Sequence, residues 1–411
     1  MKKYIFFTGT LSNVGGGQIY TRNKKNFLEE NGYEVYIFYA IEGKRYIREF
    51  LNINNYYPEL SYYPAYFNKK KIEGILDKMK LKLNIKNGDE IIIESHTYIC
   101  ACWAELLASK TKGKHFAFLL QENFNIKNND VLEFFYFKLL RKELAGISKD
   151  SLPILFKNLI NLNKDQCYHL EAVCENSVED IDTDICKKID FAADYHICTV
   201  GRLEKIYVKT MLEGVAEFCN IHKDKKVQLF LIGGTMDNNR FNKVLKIVKD
   251  ISNLDIYVSG FIYPIPRKIF KYMDAAIATA GSVLTCSNEG VTTISMNVVS
   301  GMPIGIYNYN TVEDSYSNEN NNFTVCGLLE KILIDGVNQR IISSIVDEEN
   351  QHNIEFQEQL KFLKESLNDK IYFDTSELCE SNIKKRIFRI LKLKIINYLK
   401  REKIYIGAGY E

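Results

Sequence analysis

The chain has 411 residues, a formal net charge of +2, 46% hydrophobic and 12% aromatic content. That length suggests two domains of ordinary size with apolar material for full cores, and the near-neutral charge excludes a global field that recruits nucleic acid. Ten cysteines, among them Cys100, Cys174 and Cys198, match neither a zinc-ligand pattern nor a small secreted framework and read as reduced core thiols of a cytosolic protein.

The first apolar run stops at Thr8, too short for a signal-peptide core or a bilayer span, and no later run reaches membrane-helix length. Tyr4–Thr8 predicts a strand, the loop Gly15-Gly16-Gly17 follows, and a helix pattern runs from Gln18 to Asn31 before Gly32. Further strands are predicted at Tyr33–Ala40, Glu90–Glu94, His115–Leu120 and Leu144–Ser148, with a helical stretch after the third. The second half repeats the alternation, with strands at Tyr195–Val200, Val227–Ile232, Asp255–Val258, Ala275–Ala278 and Pro303–Ile306. Helices fit Tyr207–Cys219, Arg240–Ile251 and Pro266–Met273. Strands separated by helices imply parallel sheets, so two successive doubly wound units are the simplest reading. The polar stretch near 175–190 marks the boundary, which sets domains at 1–188 and 189–348 and a tail at 349–411.

Several segments have the chemistry of a binding site. Gly201-Arg202-Leu203-Glu204-Lys205 leaves a strand toward a helix, where an open α/β sheet forms its ligand crevice. Arginine there offers a fork to phosphate oxygens and lysine a mobile charge. Gly233 ends the next strand. Glu289, Gly290, Val291 and Thr292 follow the small-residue turn Ala280-Gly281-Ser282 and precede an apolar stretch, Val291–Val299, that reads as a buried helix. A carboxylate at such a turn can accept from ribose hydroxyls; it can equally be a helix-end residue. Gly16 and Gly17 can bring backbone amides close to a phosphate, or form a plain turn. His96 follows a strand, where it serves either a sugar hydroxyl or the core. Gln121, Glu122 and Asn123 end the following strand and suit an acceptor wall. Asp180, Asp182 and Asp184 sit in a polar boundary stretch and do not read as a metal site.

These segments resemble the GT-B fold glycosyltransferases of the family-4, or group 1, type. The resemblance covers both domains in outline, and its specific motifs lie in the second. It implies two Rossmann-like domains facing a cleft, the first binding the acceptor and the second the nucleotide-sugar donor. Arg202 and Lys205 match the family's basic pair at the donor diphosphate, with Lys209 as a substitute for Lys205. Glu289 matches the first glutamate of its acidic helix motif, Gly281 and Ser282 the small residues before it, and Ser300-Gly301-Met302-Pro303 the Gly-x-Pro that closes the helix. The family's histidine, matched by His96, contacts the sugar or aids the acceptor.

The resemblance further implies retaining, metal-independent transfer of a hexose from a nucleoside diphosphate sugar, UDP-linked by preference, to a glycan or lipid-linked glycan in bacterial cell-surface polysaccharide synthesis. No cofactor and no nucleic-acid partner are expected. The family's second glutamate is missing: Asn297 stands there if Glu289 is the first, and Met296 if the Gly-x-Pro sets the register. That absence motivates an alternative, a non-catalytic protein of the same fold that binds a nucleotide sugar or supports a partner. The basic amphipathic stretch 383–403 either docks on anionic lipid at the inner face of the plasma membrane or packs back on the domains.

Overall fold

A computed structural model describes residues 1–120, 129–149, 151–157, 162, 167–174, 176–317, 322–338, 348–366, 371–374 and 378. The first sheet contains β1 (Lys2–Thr10), β2 (Tyr33–Ile41), β3 (Glu90–Ser95), β4 (Lys114–Leu119) and β5 (Leu144–Gly146). All are parallel, in the order β2-β1-β3-β4-β5. The accompanying helices are α1 (Gly16–Glu30), α2 (Lys69–Leu83), α3 (Tyr98–Thr111), α4 (Asn129–Leu140) and α5 (Ser151–Phe156).

A short strand β6 (Val178–Glu179) leads into the second sheet, built from β7 (Tyr195–Val200), β8 (Val227–Ile232) and β9 (Leu254–Val258), then, past β10 (Ile265–Pro266), from β11 (Ala275–Ala278), β12 (Thr293–Met296) and β13 (Pro303–Ile306). Its order is β13-β12-β11-β7-β8-β9, parallel except for the β12–β13 pair, while β10 pairs with β6. Helices α6 (Tyr207–Ile221), α7 (Asn238–Leu245), α8 (Arg267–Phe270), α9 (Gly281–Asn288), α10 (Val325–Leu333) and α11 (Glu348–Ser366) complete the described elements. No helix among the described residues is long and apolar enough to cross a membrane.

Both sheets are covered on two faces, which is why their strands read as continuous apolar runs. Alternation along each strand then divides the side chains between two cores. Tyr4 and Phe6 enter one cluster and Ile5 and Phe7 another. Leu229 and Leu231 are separated from Phe230 and Ile232 in the same way. In each sheet the strand order reverses next to the first strand, between β1 and β3 and between β7 and β11. A doubly wound sheet holds its ligand outside the strand ends at that reversal.

Residues 291–299 differ from the sequence reading. The helix precedes Glu289 as α9, and Thr293–Met296 form a strand, register-paired with Ala276–Ala278 of β11 and wholly buried. A short apolar run fits a buried strand and a buried helix equally in periodicity, and the β-branched Val291-Thr292-Thr293-Ile294 favours the strand. The Ser300–Pro303 tract consequently closes no helix. It is a turn between β12 and β13 in which Gly301, at φ +70°, packs against the backbone nitrogen of Tyr207.

The chain finally returns to the first sheet. Phe356, Leu360 and Leu363 of α11 join the cluster that holds Tyr20 and Phe27 of α1. Beyond it, Tyr372 Oη donates to Gly113 O at 2.9 Å and Phe373 N–H to Glu105 Oε1 at 2.9 Å.

Candidate functional site

A cleft of about 600 Å³ opens between the two strand-order reversals. From the first sheet it is lined by the β1–α1 loop with the first turn of α1, including Gly16, Gly17 and Gln18, and by His96 and Thr97 after β3. From the second it is lined by Gly201, Arg202 and Lys205 after β7, Gly233 after β8, and Thr279 to Ser282 at the start of α9. Nine predicted site residues therefore meet here: His96, Arg202, Lys205, Gly16, Gly17, Gly201, Gly233, Gly281 and Ser282.

Two helix N-termini converge on this space. Helix α1 starts at Gly16 without a side-chain cap, and α9 starts at Gly281 likewise. First-turn amides have no partner inside their own helix, and each N-terminus carries a partial positive charge. Cys174 lies between them: a Cβ on Gly16 would be 3.7 Å from its Sγ, and one on Gly281 would be 3.3 Å from its carbonyl oxygen. The lining adds Arg202 and Lys205 and, among the described residues, contains no carboxylate. Arg202 is half-exposed, 3.5 Å from Glu204, and its Cδ stands 3.7 Å from the Cβ position of Gly15. The glycine loop of one sheet and the arginine of the other thus face the same point. Such a surface favours a multiply charged anion.

Glycines are required where the loops touch. Gly201 has φ +139°, and its Cα side lies against Ser282 Oγ and Tyr207 Oη. Ala280, just before α9, has φ +53° and ψ −144°. An alanine held there is strained, and strain of this kind clusters at ligand clamps. Its N–H donates to Asp314 O at 2.7 Å, which holds the turn. An apolar wall closes the far side, formed by Ile232, Phe261, Ile262 and Ile265. A Cβ on Gly234 would stand 2.3 Å from the Phe261 ring, whose centroid is 5.5 Å from that of Tyr46.

Five candidates, Glu289, Gly290, Val291, Thr292 and the substitute Lys209, fall elsewhere. Glu289 is at the C-terminal end of α9, about 12 Å along the helix from Gly281. Arg267 binds it at 3.1 Å and also binds Asp180 at 3.1 Å. Gly290 makes the turn at φ +86°, and Val291 and Thr292 are buried. Lys209 pairs with Glu213 on α6 and does not line the cleft. Asp184 pairs with Lys187. Gln121, Glu122 and Asn123 lie outside the described residues, as does the basic stretch 383–403.

Sequence reasoning missed Cys174, Asn176, Thr279 and the wall around Phe261. Phe261 carried one usable signal, its position three residues after a strand of the second sheet. Cys174 and Asn176 carried none, because the link between the sheets has no periodic pattern.

No protein-family model matches the sequence, and no curated protein matches it. Solved structures do match. The chain is similar to a glycosyltransferase from Rickettsia africae ESF-5, with a TM-score of 0.58 and 15% identity over 89% of this chain and 99% of that one. It is similar to HepE of Anabaena, solved with UDP-glucose, with a TM-score of 0.52 and 10% identity over 87% and 99% of the two chains. The trehalose-6-phosphate synthase OtsA gives a TM-score of 0.50 and 13% identity over 95% and 99%. The chain has the GT-B fold. Two Rossmann-like units face one cleft, as the sequence reading expected.

Proposed function

We propose that this GT-B protein is a glycosyltransferase that binds a nucleoside diphosphate sugar in the cleft. The observation that carries the reading is the convergence of two uncapped helix N-termini with Arg202 and Lys205 on a space whose described lining has no carboxylate. In the proposed reaction the bond between the sugar's anomeric carbon and the diphosphate breaks, and negative charge grows on the departing diphosphate. Fixed positive groups stabilise that charge more than they stabilise the bound donor, which is what lowers a barrier. Arg202 and Lys205 take this role, with the amides of Gly16, Gly17, Gly281 and Ser282. The wall of Ile232, Phe261 and Ile265 suits the flat, apolar faces of a nucleobase. The sugar then lies toward His96.

HepE was solved with UDP-glucose, which makes UDP-glucose the first donor to try. A retaining, metal-independent transfer to a glycan or lipid-linked glycan of the cell surface remains part of the proposal, as does attachment to the inner membrane face through residues 383–403. Calorimetric titration with UDP, GDP, ADP and UMP in chelator tests the core of it. Tight binding of one nucleoside diphosphate, with UMP much weaker, is the expected result. Equal binding of UMP and UDP would remove the diphosphate role of Arg202 and Lys205.

The lack of a carboxylate in the described lining favours one second reading, a non-catalytic nucleotide-sugar-binding protein of the same fold. Turnover separates the two. Release of UDP from UDP-glucose with a glycan acceptor present supports the transferase, and binding without release supports the alternative.

A further inference from the structure

Glu94 is fully buried one residue before the end of β3. Its carboxylate is nonetheless fully partnered. Oε1 lies 2.9 Å from Tyr20 Oη, whose single hydrogen it shares with Gln359 Oε1 at 3.0 Å, and meets His96 Nε2 at 2.9 Å. Oε2 accepts from Tyr4 Oη at 2.5 Å and from Lys24 Nζ at 2.5 Å. Burial alone would raise its pKa, but the charge of Lys24 and the hydrogen bond from His96 hold it well below the usual carboxylate range. An ionised carboxylate accepts and never donates. The proton between Glu94 and His96 therefore sits on Nε2.

The other ring nitrogen has a different neighbour. Nδ1 is 3.4 Å from Thr21 Oγ1, and the Thr21 hydroxyl donates to Gly17 O at 2.7 Å. That hydroxyl's one hydrogen is spent on Gly17, so it gives none to Nδ1. In the neutral ring, with its proton on Nε2, Nδ1 keeps its lone pair, on a residue that lines the cleft. The support behind Glu94 is as complete. Lys24 Nζ places its three hydrogens on Glu94 Oε2, on Tyr20 Oη at 2.9 Å and on Gln359 Oε1 at 2.8 Å. Gln359 comes from α11 and is fixed in turn by donating Nε2–H to Glu171 O at 2.7 Å. The C-terminal helix thus closes the set that holds the histidine.

We propose that Glu94 is a positioning residue that locks His96 as the Nε2–H tautomer, so that Nδ1 serves as a hydrogen-bond acceptor for a hydroxyl of the sugar carried by the nucleotide. The ligand's identity rests on the proposed function, while the tautomer rests on the hydrogen-bond inventory alone. A carboxamide at position 94 would present N–H to Nε2, move the proton to Nδ1 and turn the acceptor into a donor.

Nitrogen-15 spectra of histidine-labelled protein test the tautomer directly. The His96 resonances, assigned with His96→Gln, are expected to report Nε2–H in the native protein and Nδ1–H in Glu94→Gln. Calorimetry tests the consequence: Glu94→Gln is expected to bind UDP with native affinity and UDP-glucose about tenfold more weakly. If Glu94→Gln does not fold, Glu94→Gln with Lys24→Met removes the buried charge pair together and carries the same expectations. An Nδ1–H signal in the native protein overturns the inference whatever the variants do. So does equal weakening of UDP and UDP-glucose. Failure of the native protein to bind UDP would sink the proposed function and leave the tautomer result standing by itself.

Discussion

A Cβ on Gly233 would stand 1.8 Å from the carbonyl oxygen of Gly201. Both partners are backbone, so neither can turn aside. The two loops are also cross-bonded, Gly201 N–H to Ile232 O and Leu203 N–H to Gly234 O, each at 3.0 Å. Arg202 sits inside this cross-link, which fixes the place from which its side chain reaches the cleft. Gly233→Ala must therefore part the ends of β7 and β8. We expect a loss of about 1–3 kcal/mol in stability, as for overpacking elsewhere, together with weakened UDP binding. Denaturant unfolding and calorimetry on the same sample check both, and an alanine variant with native stability would show that the loops are not locked.

Arg202 itself contributes little to the fold. It is half-exposed, and its ion pair with Glu204 spans 3.5 Å. Arg202→Ala should shift stability by no more than about 0.5 kcal/mol. Its effect on a diphosphate should be much larger, since a hydrogen bond to a charged group is worth about 1.5–3 kcal/mol, or roughly 10- to 100-fold in affinity. Unchanged UDP affinity in a folded Arg202→Ala protein would place the diphosphate elsewhere.

Glu289 gives the opposite expectation. Its carboxylate is engaged by Arg267 at the far end of α9 from the cleft. Glu289→Ala should leave UDP affinity within about threefold of native and cost at most about 1 kcal/mol, the range of partly exposed ion pairs. A hundredfold loss of UDP binding in this variant would mean that α9 rearranges to bring Glu289 to the ligand.

Acid stability should carry the mark of His115. The ring is buried, with Nδ1 2.7 Å from Glu105 and Nε2 2.9 Å from Ser95 Oγ. Burial, and then the charge of Lys138, push its pKa from 6.5 down to about 4. The unfolded chain takes up this proton at a higher pH than the native one. The stabilisation is therefore complete above pH 6.5 and is lost as the pH falls from there to about 4. The gap corresponds to something on the order of 3 kcal/mol. Melting temperatures measured from about pH 7 to about pH 4.5 should fall in the native protein and fall less steeply in His115→Gln. Parallel slopes would remove His115 from the account.

The sequence was legible where the determining interactions are local. Tyr195–Val200, Val227–Ile232 and Ala275–Ala278 were read to the residue, because a short, largely apolar run between polar or turn residues announces a strand buried on both faces. Gly16, Gly201, Gly233 and Gly281 were legible because only a strand-to-helix turn puts a glycine at that point in the alternation. The reading went wrong at 291–299, where the apolar spacing satisfies a strand and a helix equally, the β-branched Val291–Ile294 only tilts the balance, and pairing with β11 decides it. A linear pattern carries no such pairing.

Periodicity along the chain carries the grammar: two doubly wound units in series and the strand ends at which ligand chemistry gathers. The tertiary structure alone decided which of those ends share one space. It turned two loops some 265 positions apart, at Gly16 and Gly281, toward one cysteine, and sent Glu289 to Arg267. It also surrounded Glu94 with Tyr4 from β1, Tyr20 and Lys24 from α1, and His96 after β3, with Gln359 from α11 behind them. The reason is physical. Secondary structure follows from apolar periodicity and backbone preference within a few residues, whereas a buried charge is satisfied only by whatever partners the completed packing brings within hydrogen-bond reach.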